Sequence, residues 1–407
     1  MADTRAQVEA FLDENWDPDL TVGEWWERLG PSGWAAPHWP VDAFGRGLSN
    51  AEAAQVGELF RRRGVLGPPG GIGLLLAGPT IWTHGTAEQK ARLLPDILCG
   101  RVAWCQLFSE PGAGSDLAGL QTKAARDGDA WRVTGQKVWT SAGHLSQLGM
   151  LLARTDPGAP KHRGISWFVL DMQQPGVEIR SLRELTGRSH FDEVFLTDVV
   201  ARDENVIGDL HDGWSVARTT LAFERAGLGA GSSGAAESSA FPGPAVGHLG
   251  RRAGDFVRRG GSRRAPTMSV QVDQLATLAR RQGRGHEPLV RQRLAALHAE
   301  QRIGRLMAMR NKDLRRQGGV PGMGNIAKLR MSRLFREARE IGLELLGPRG
   351  TLHDYTDPMP TDDADALAAA TTGLALWSPA PSIYGGTDEI QRNILAERVL
   401  GLPKEPG

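Results

Sequence analysis

The chain has 407 residues, 40% of them hydrophobic and 23% charged, with 48 basic against 47 acidic side chains. That mix excludes a disordered or fibrous chain, and the near-cancelling charge gives no hint of nucleic acid or an acidic membrane as the main partner. Two cysteines exclude a secreted disulfide framework, ten scattered histidines with no HxxH or CxxC pair form no zinc pattern, and no apolar run reaches the ~18 residues of a membrane span. The first residues, MADTRAQVEAFLDENW, mix both charges and lack an apolar signal core, so the cytoplasm is the expected home.

In chain order, residues 1–108 read as helical. Residues 51–63 place Ala54, Val56, Leu59 and Phe60 at helical spacing. Residues 86–98 open with Thr86 and carry Gln89 three positions on, a capping-box pattern. The rhythm changes over 109–208. Segments 131–139, 148–154, 164–172, 176–182 and 192–200 are short, apolar or alternating, and bounded by turn residues, which predicts an antiparallel barrel or sandwich. From 209 the helical period returns, with helices predicted over 213–228, 288–315, 324–346 (stopped by Gly347-Pro348) and 386–399. Residues 227–271, rich in Gly, Ser, Ala and Arg, read as a loop or flexible insertion. Helices, then strands, then helices, without βαβ alternation, is an α+β order. The expected domains are 1–108, 109–208 and 209–407.

Several local signals carry little chemistry. Gly71-Ile72-Gly73 and Gly112-Ala113-Gly114 each begin a dinucleotide fingerprint, but Leu76 and Leu117 stand where the third glycine belongs. Ala230-Gly231-Ser232-Ser233-Gly234 resembles a nucleophile elbow inside a Gly/Ser tract with no flanking strand, so it reads as linker. The arginines of 251–264 lack interleaved aromatics for base stacking and read as a solvated loop.

Two regions are more specific: WCQLFSEPGAGSD (104–116) followed by GQKVWTSAG (135–143), and YGGTDEIQRNILAERVLGLP (384–403). With GWAAPHWP (33–40) and HGTAEQKARLLPDIL (84–98), they closely resemble the acyl-CoA dehydrogenase family of flavoenzymes, nearly end to end and in order. The resemblance implies an N-terminal helical domain, a central β domain and a C-terminal four-helix bundle, with FAD as cofactor. It implies that Gln106, Phe108 and Ser109 contact the flavin ring. Ser115 is expected near the thioester and the ribityl chain, Trp139 packs on the flavin, and Ser141 hydrogen-bonds near its N5. It further implies that a neighbouring subunit's bundle serves the pyrophosphate and adenosine, at positions matching Gln292 and Gly347, with Arg281 a candidate phosphate partner. Thr387 and Glu389 match the stretch that touches FAD from the last helix. Pro348 replaces a second glycine found in many relatives.

The implied reaction takes a proton from the carbon next to a thioester and a hydride from the next carbon, so it needs a carboxylate base. Many family members carry it as Tyr-Glu-Gly-Thr; this chain has Tyr384-Gly385-Gly386-Thr387, and Gly385 cannot act as a base. A second arrangement in the family, seen in isovaleryl- and long-chain-type members, puts the base on a bundle helix directly before an arginine. That site reads Leu221-Ala222-Phe223-Glu224-Arg225 here. Glu224 is the expected base, against the plainer reading of a surface Glu paired with Arg225. Arg225 reads as a structural partner, and Glu110 as a turn-stabilising acceptor. Ser115, Leu221, Arg225, Tyr384 and Gly385 are expected to line the substrate, with the glycines leaving room for a bulky acyl group. The resemblance also implies electron-transferring flavoprotein as acceptor and a homodimer or homotetramer. It leaves open a heteromer with a related subunit, a flavin oxidase or hydroxylase on the same fold, a non-catalytic scaffold, and an acyl carrier protein thioester in place of acyl-CoA.

Overall fold

The computed structural model describes residues 2–229, 240–257, 272–315, 320–353 and 363–404. Packing divides the chain into two units: residues 1–182 with 189–262, and residues 183–188 with 263–407.

The first unit opens with helices α1 (Ala2–Asn15), α2 (Val22–Leu29), α3 (Asn50–Arg63), α4 (Gly78–His84) and α5 (Ala87–Leu98). The capping box at α5 is present: Gln89 N donates to Thr86 Oγ1 at 3.2 Å, and Thr86 N donates to Gln89 Oε1 at 3.0 Å. On α3 the buried face is Val56 and Phe60, with Ala54 exposed. These helices bury Trp25, Trp26, Trp39, Ile81 and Leu94 in one apolar core. Trp25 and Trp26 satisfy their indole N–H groups on the carbonyls of Leu66 and Gly67, so two large rings are buried without an orphan donor.

Strands β1 (Trp104–Leu107), β2 (Lys123–Asp127), β3 (Ala130–Ser141), β4 (Leu148–Arg154), β5 (Ile165–Asp171), β6 (Val177–Leu182) and β7 (Phe191–Arg202) form one sheet. Its order is β1-β4-β2-β3-β7-β6, with β5 paired to β4. The sheet is mixed rather than antiparallel throughout, because β4 runs parallel to both β1 and β2. Four-residue β1 has no alternation long enough to be read from sequence, which is why the parallel pairing escaped the pattern. Inward side chains from β3, β4, β5 and β7, among them Val133, Leu151, Phe168 and Val194, form a second core.

Helix α6 (Gly213–Gly229) completes this unit. Its start lies so close to β5 that a Cβ at Gly213 would approach the Ser166 carbonyl carbon to 2.5 Å, so only glycine fits. Residues 240–257, read as part of a loop, are irregular but packed. Ala240, Ala253 and Phe256 join the first core, and Arg251 O accepts from Val22 N at 2.8 Å. The elbow-like run at 230–234 lies outside the described residues.

The second unit contains α7 (Val272–Arg281), α8 (Pro288–Arg315), α9 (Met323–Leu346), α10 (Asp363–Trp377) and α11 (Asp388–Ile394), the last continuing as a π-helical turn, Leu395–Val399. Leu275, Leu297, Phe335, Ile341 and Leu345 lie in its core. Helix α9 stops at Gly347, whose φ of +57° favours glycine. Among the described residues no helix is long and apolar enough to cross a membrane.

Candidate active site

Helix α6 buries Val216 and Thr220, and Glu224 lies one further turn along the same i, i+4 face. Glu224 is half-buried, and Gln106 Nε2 on β1 donates to its Oε2 at 3.5 Å. Burial pushes the Glu224 carboxyl above the usual carboxylate range, against the smaller opposing pulls of the Gln106 hydrogen bond and Arg225. Two contacts fix the rotation of α6. Thr80 on α4 and Thr220 share a hydroxyl–hydroxyl hydrogen bond of 2.9 Å in the core, and Trp82 meets Phe223 edge-on at 6.0 Å. Leu221 is half-buried and Arg225 exposed.

The 108–116 segment turns tightly. Glu110 and Ala113 exchange backbone hydrogen bonds of 3.1 and 3.0 Å across Pro111-Gly112. Gly112 and Gly114 are exposed, and a Cβ on either would meet nothing within 4 Å, so their bare backbone faces open space. Ser115 is exposed beside them and Ser109 half-buried. The Phe108 ring is buried in the first core. Glu110 is a turn-stabilising acceptor: Oε2 takes Gln121 N at 2.6 Å, and Oε1 takes Thr122 N at 2.9 Å and Lys137 Nζ at 2.8 Å. Burial would raise its pKa, but Lys137 and these hydrogen bonds hold it below the ordinary value.

Strand β3 carries the other half of the site. Its pairing with β7 shifts register between Lys137 and Thr140, and within that bulge Trp139 adopts φ +62°. A left-handed backbone costs a non-glycine residue of order 1–2 kcal/mol, and here it turns an indole outward that is 61% exposed. Ala142, at φ +53°, closes the corner after half-buried Ser141. Buried Asp192 on β7 pins this corner, accepting from His144 N (3.1 Å), facing His144 Nδ1 (2.9 Å) and accepting from Ser181 Oγ (2.9 Å). Thr140 Oγ1 is buried with no hydrogen-bond partner. An exposed flat ring, bare loop amides and nearby hydroxyls suit a flavin, which is planar, with polar edges and a pyrophosphate.

In the second unit Gly385 and Gly386 both have positive φ, +64° and +82°. Gln391 Nε2 donates to both carbonyls, at 2.8 and 3.2 Å, and a Cβ on Gly386 would meet that nitrogen at 2.7 Å. These glycines thus serve a tight backbone turn. Thr387 caps α11, its hydroxyl accepting from Ile390 N at 3.3 Å, while Glu389 is exposed. Tyr384 is half-buried and packs near Trp377, ring centroids 5.8 Å apart. Gln292 on α8, Arg281 at the end of α7, Gly347 and Pro348 are exposed. A cluster not anticipated from sequence holds this region: buried Asp388 accepts from Lys328 Nζ (3.0 Å), Ser332 Oγ (2.8 Å) and Arg336 Nη1 (3.1 Å). Lys137 was overlooked as well, although the alternation Trp131, Val133, Gly135, Lys137 sets a lysine on an inward strand face.

The chain matches the N-terminal, middle and C-terminal domain models of acyl-CoA dehydrogenase over residues 3–101, 105–199 and 263–400. It is 37% identical over 385 residues to the acyl-CoA dehydrogenase IpdE1 of Mycobacterium tuberculosis, covering 94% of this chain and 88% of the relative. Among solved structures it is similar to the Tcur3481-Tcur3483 steroid ACAD, with TM-score 0.71 and 26% identity over 99% of this chain and 98% of that one. It is also similar to a chain of the ChsE4-ChsE5 complex from Mycobacterium tuberculosis, with TM-score 0.67 and 25% identity over 94% and 90%.

Proposed function

This chain belongs to the acyl-CoA dehydrogenase family, FAD-dependent oxidoreductases that act on the CH–CH group of donors, and on that footing we propose that it converts an acyl-CoA to its trans-2-enoyl-CoA with Glu224 as the base. FAD, when bound, would supply the acceptor for the substrate's β-hydride. The α-proton goes to Glu224. The observation that carries this reading is a half-buried carboxylate on α6 that accepts from Gln106 and whose burial raises its pKa. Its surroundings favour the neutral form, so the ionised form is a stronger base than a solvated glutamate. Gly385, at the alternative position, has no side chain to compete.

Within this scheme Trp139, Ser141, Gln106, Ser109, Ser115 and the Phe108 main chain hold the flavin. Arg281, Gln292, Gly347, Thr387 and Glu389 serve FAD from the bundle. Ser115, Leu221, Arg225, Tyr384 and Gly385 border the acyl-CoA. The domains in this scheme are 1–108, 109–208 and 209–407. The steroid ACAD neighbour favours a ring-bearing acyl group. Electron-transferring flavoprotein is the acceptor by family.

A partner subunit completes the site. Helix α8 exposes Ile303, Leu306 and Met309, three apolar residues at a three-residue interval that a partner would cover. The two-component names of both solved neighbours favour an unlike partner over a second copy. The chain expressed alone then carries clearly less than one FAD per subunit; a full complement favours the homomer. The activity is tested by anaerobic mixing with short, long, branched and steroid-side-chain acyl-CoAs. Flavin bleaching with a product lighter by two hydrogens supports the reading, and no bleaching by any of them, with FAD bound, refutes it.

A further inference from the structure

We propose that Lys137 is a positioning residue that locks the Glu110–Asp116 turn to the strand end bearing Trp139, and so fixes the two flavin-facing segments relative to each other. This rests on the reading that both segments face FAD. Lys137 is fully buried, the one lysine so placed among the described residues. Its Nζ donates to Glu110 Oε1 at 2.8 Å and to Phe108 O at 3.1 Å. The next residue repeats the tie, Val138 N donating to Ser109 O at 3.0 Å. Residues 108, 109 and 110 are therefore all fastened to residues 137 and 138. Through Glu110 the fastening extends to the amides of Gln121 and Thr122.

The placement along the strand matters. Lys137 pairs with Val194 as the last residue in register before the bulge that turns Trp139 outward. It is the fixed point from which the indole's position is measured. Stability alone is a poor reason for such a pair. Taking an ammonium and a carboxylate out of water costs several kcal/mol per ion, and well-packed apolar replacements are often as stable. The cost shows in the Lys137 amine itself, which burial lowers to about 8 despite the attraction of Glu110. What the pair supplies that apolar side chains cannot is direction: an acceptor carboxylate and a carbonyl, from one turn, converging on one nitrogen.

The test compares K137M with K137M/E110Q, which leaves no unpaired charge, the Gln oxygen still accepting from one of the two backbone amides. Three quantities are read: the FAD dissociation constant, from flavin fluorescence on serial dilution of the holoenzyme; hydrogen exchange in 108–122 and 136–142; and the urea midpoint. The expected result is that K137M weakens FAD binding at least tenfold and speeds exchange in both segments together. The double variant regains part of the urea midpoint but none of the FAD affinity. Should affinity and midpoint recover together, or should K137M bind FAD as tightly as the parent, the positioning role is overturned. If K137M does not fold, the double variant decides. If the parent takes up no FAD even with a partner subunit present, the flavin reading fails separately, and exchange still decides the coupling: faster exchange in only one segment overturns it.

Discussion

Gln106→Leu tests the electrostatics of Glu224 directly. The Gln106 amide donates to Glu224 Oε2 and favours its ionised form, in opposition to the burial that raises its pKa. Hydrogen bonds to charged groups contribute about 1.5–3 kcal/mol; at 3.5 Å this one belongs at the low end. Removing roughly 1.4 kcal/mol of support for the charged form lowers the ionised fraction about tenfold at any pH below the midpoint. The assay is anaerobic stopped-flow flavin reduction across pH, each profile normalised to its own alkaline plateau. The normalisation removes any change in flavin contact that the same substitution causes. The rate rises with pH as Glu224 ionises, and in Gln106→Leu the midpoint moves to higher pH. An unmoved midpoint refutes the argument. Stability gives an independent check of sign. A raised carboxyl pKa means the folded chain holds a proton that the unfolded chain has released. Glu224 therefore costs stability increasingly as pH rises from the unfolded value through the folded one. Glu224→Gln lacks that cost, so its thermal midpoint exceeds the parent's at pH 8 by more than at pH 5; an equal difference at both contradicts the burial.

Gly385→Ala places a Cβ at φ +64°, and is expected to cost about 1 kcal/mol in urea denaturation; no cost would mean that the turn relaxes. Asp388→Asn leaves Lys328 and Arg336 facing a neutral group, and a loss of roughly 3 kcal/mol is expected on chemical denaturation. Burial raises the Asp388 carboxyl, but Ser332, Lys328 and Arg336 together draw it below the ordinary value. Its stabilisation is thus present at neutral pH and lost as pH falls through the depressed value, and the Asn variant lacks that acid-side loss.

The long α8 and α9 helices and α6 were legible because each repeats a period over many residues, and strands β3 to β7 because each is a short apolar or alternating run between turn residues. Thr86 and Gln89 announced a helix start through chemistry contained in four residues. Short β1 was not legible as a parallel strand, since its direction is set by β4, more than forty residues on. The Gly385-Gly386 pair showed that no base stands there, but not why: φ above zero is a property of the turn that Gln391 closes. The Asp388 cluster joins two helices through residues 52 to 60 positions apart in sequence, and no local pattern marks it. Glu224 as the expected base came from the resemblance, whereas Gln106 as its partner required the fold.

The central claim is that the α6 carboxylate takes the substrate proton. Anaerobic flavin reduction by Glu224→Gln, mixed with the acyl-CoA that bleaches the parent enzyme fastest, measures it most directly. The account predicts unchanged FAD content and a rate lower by roughly a hundredfold or more; reduction within a few-fold of the parent rate would contradict it.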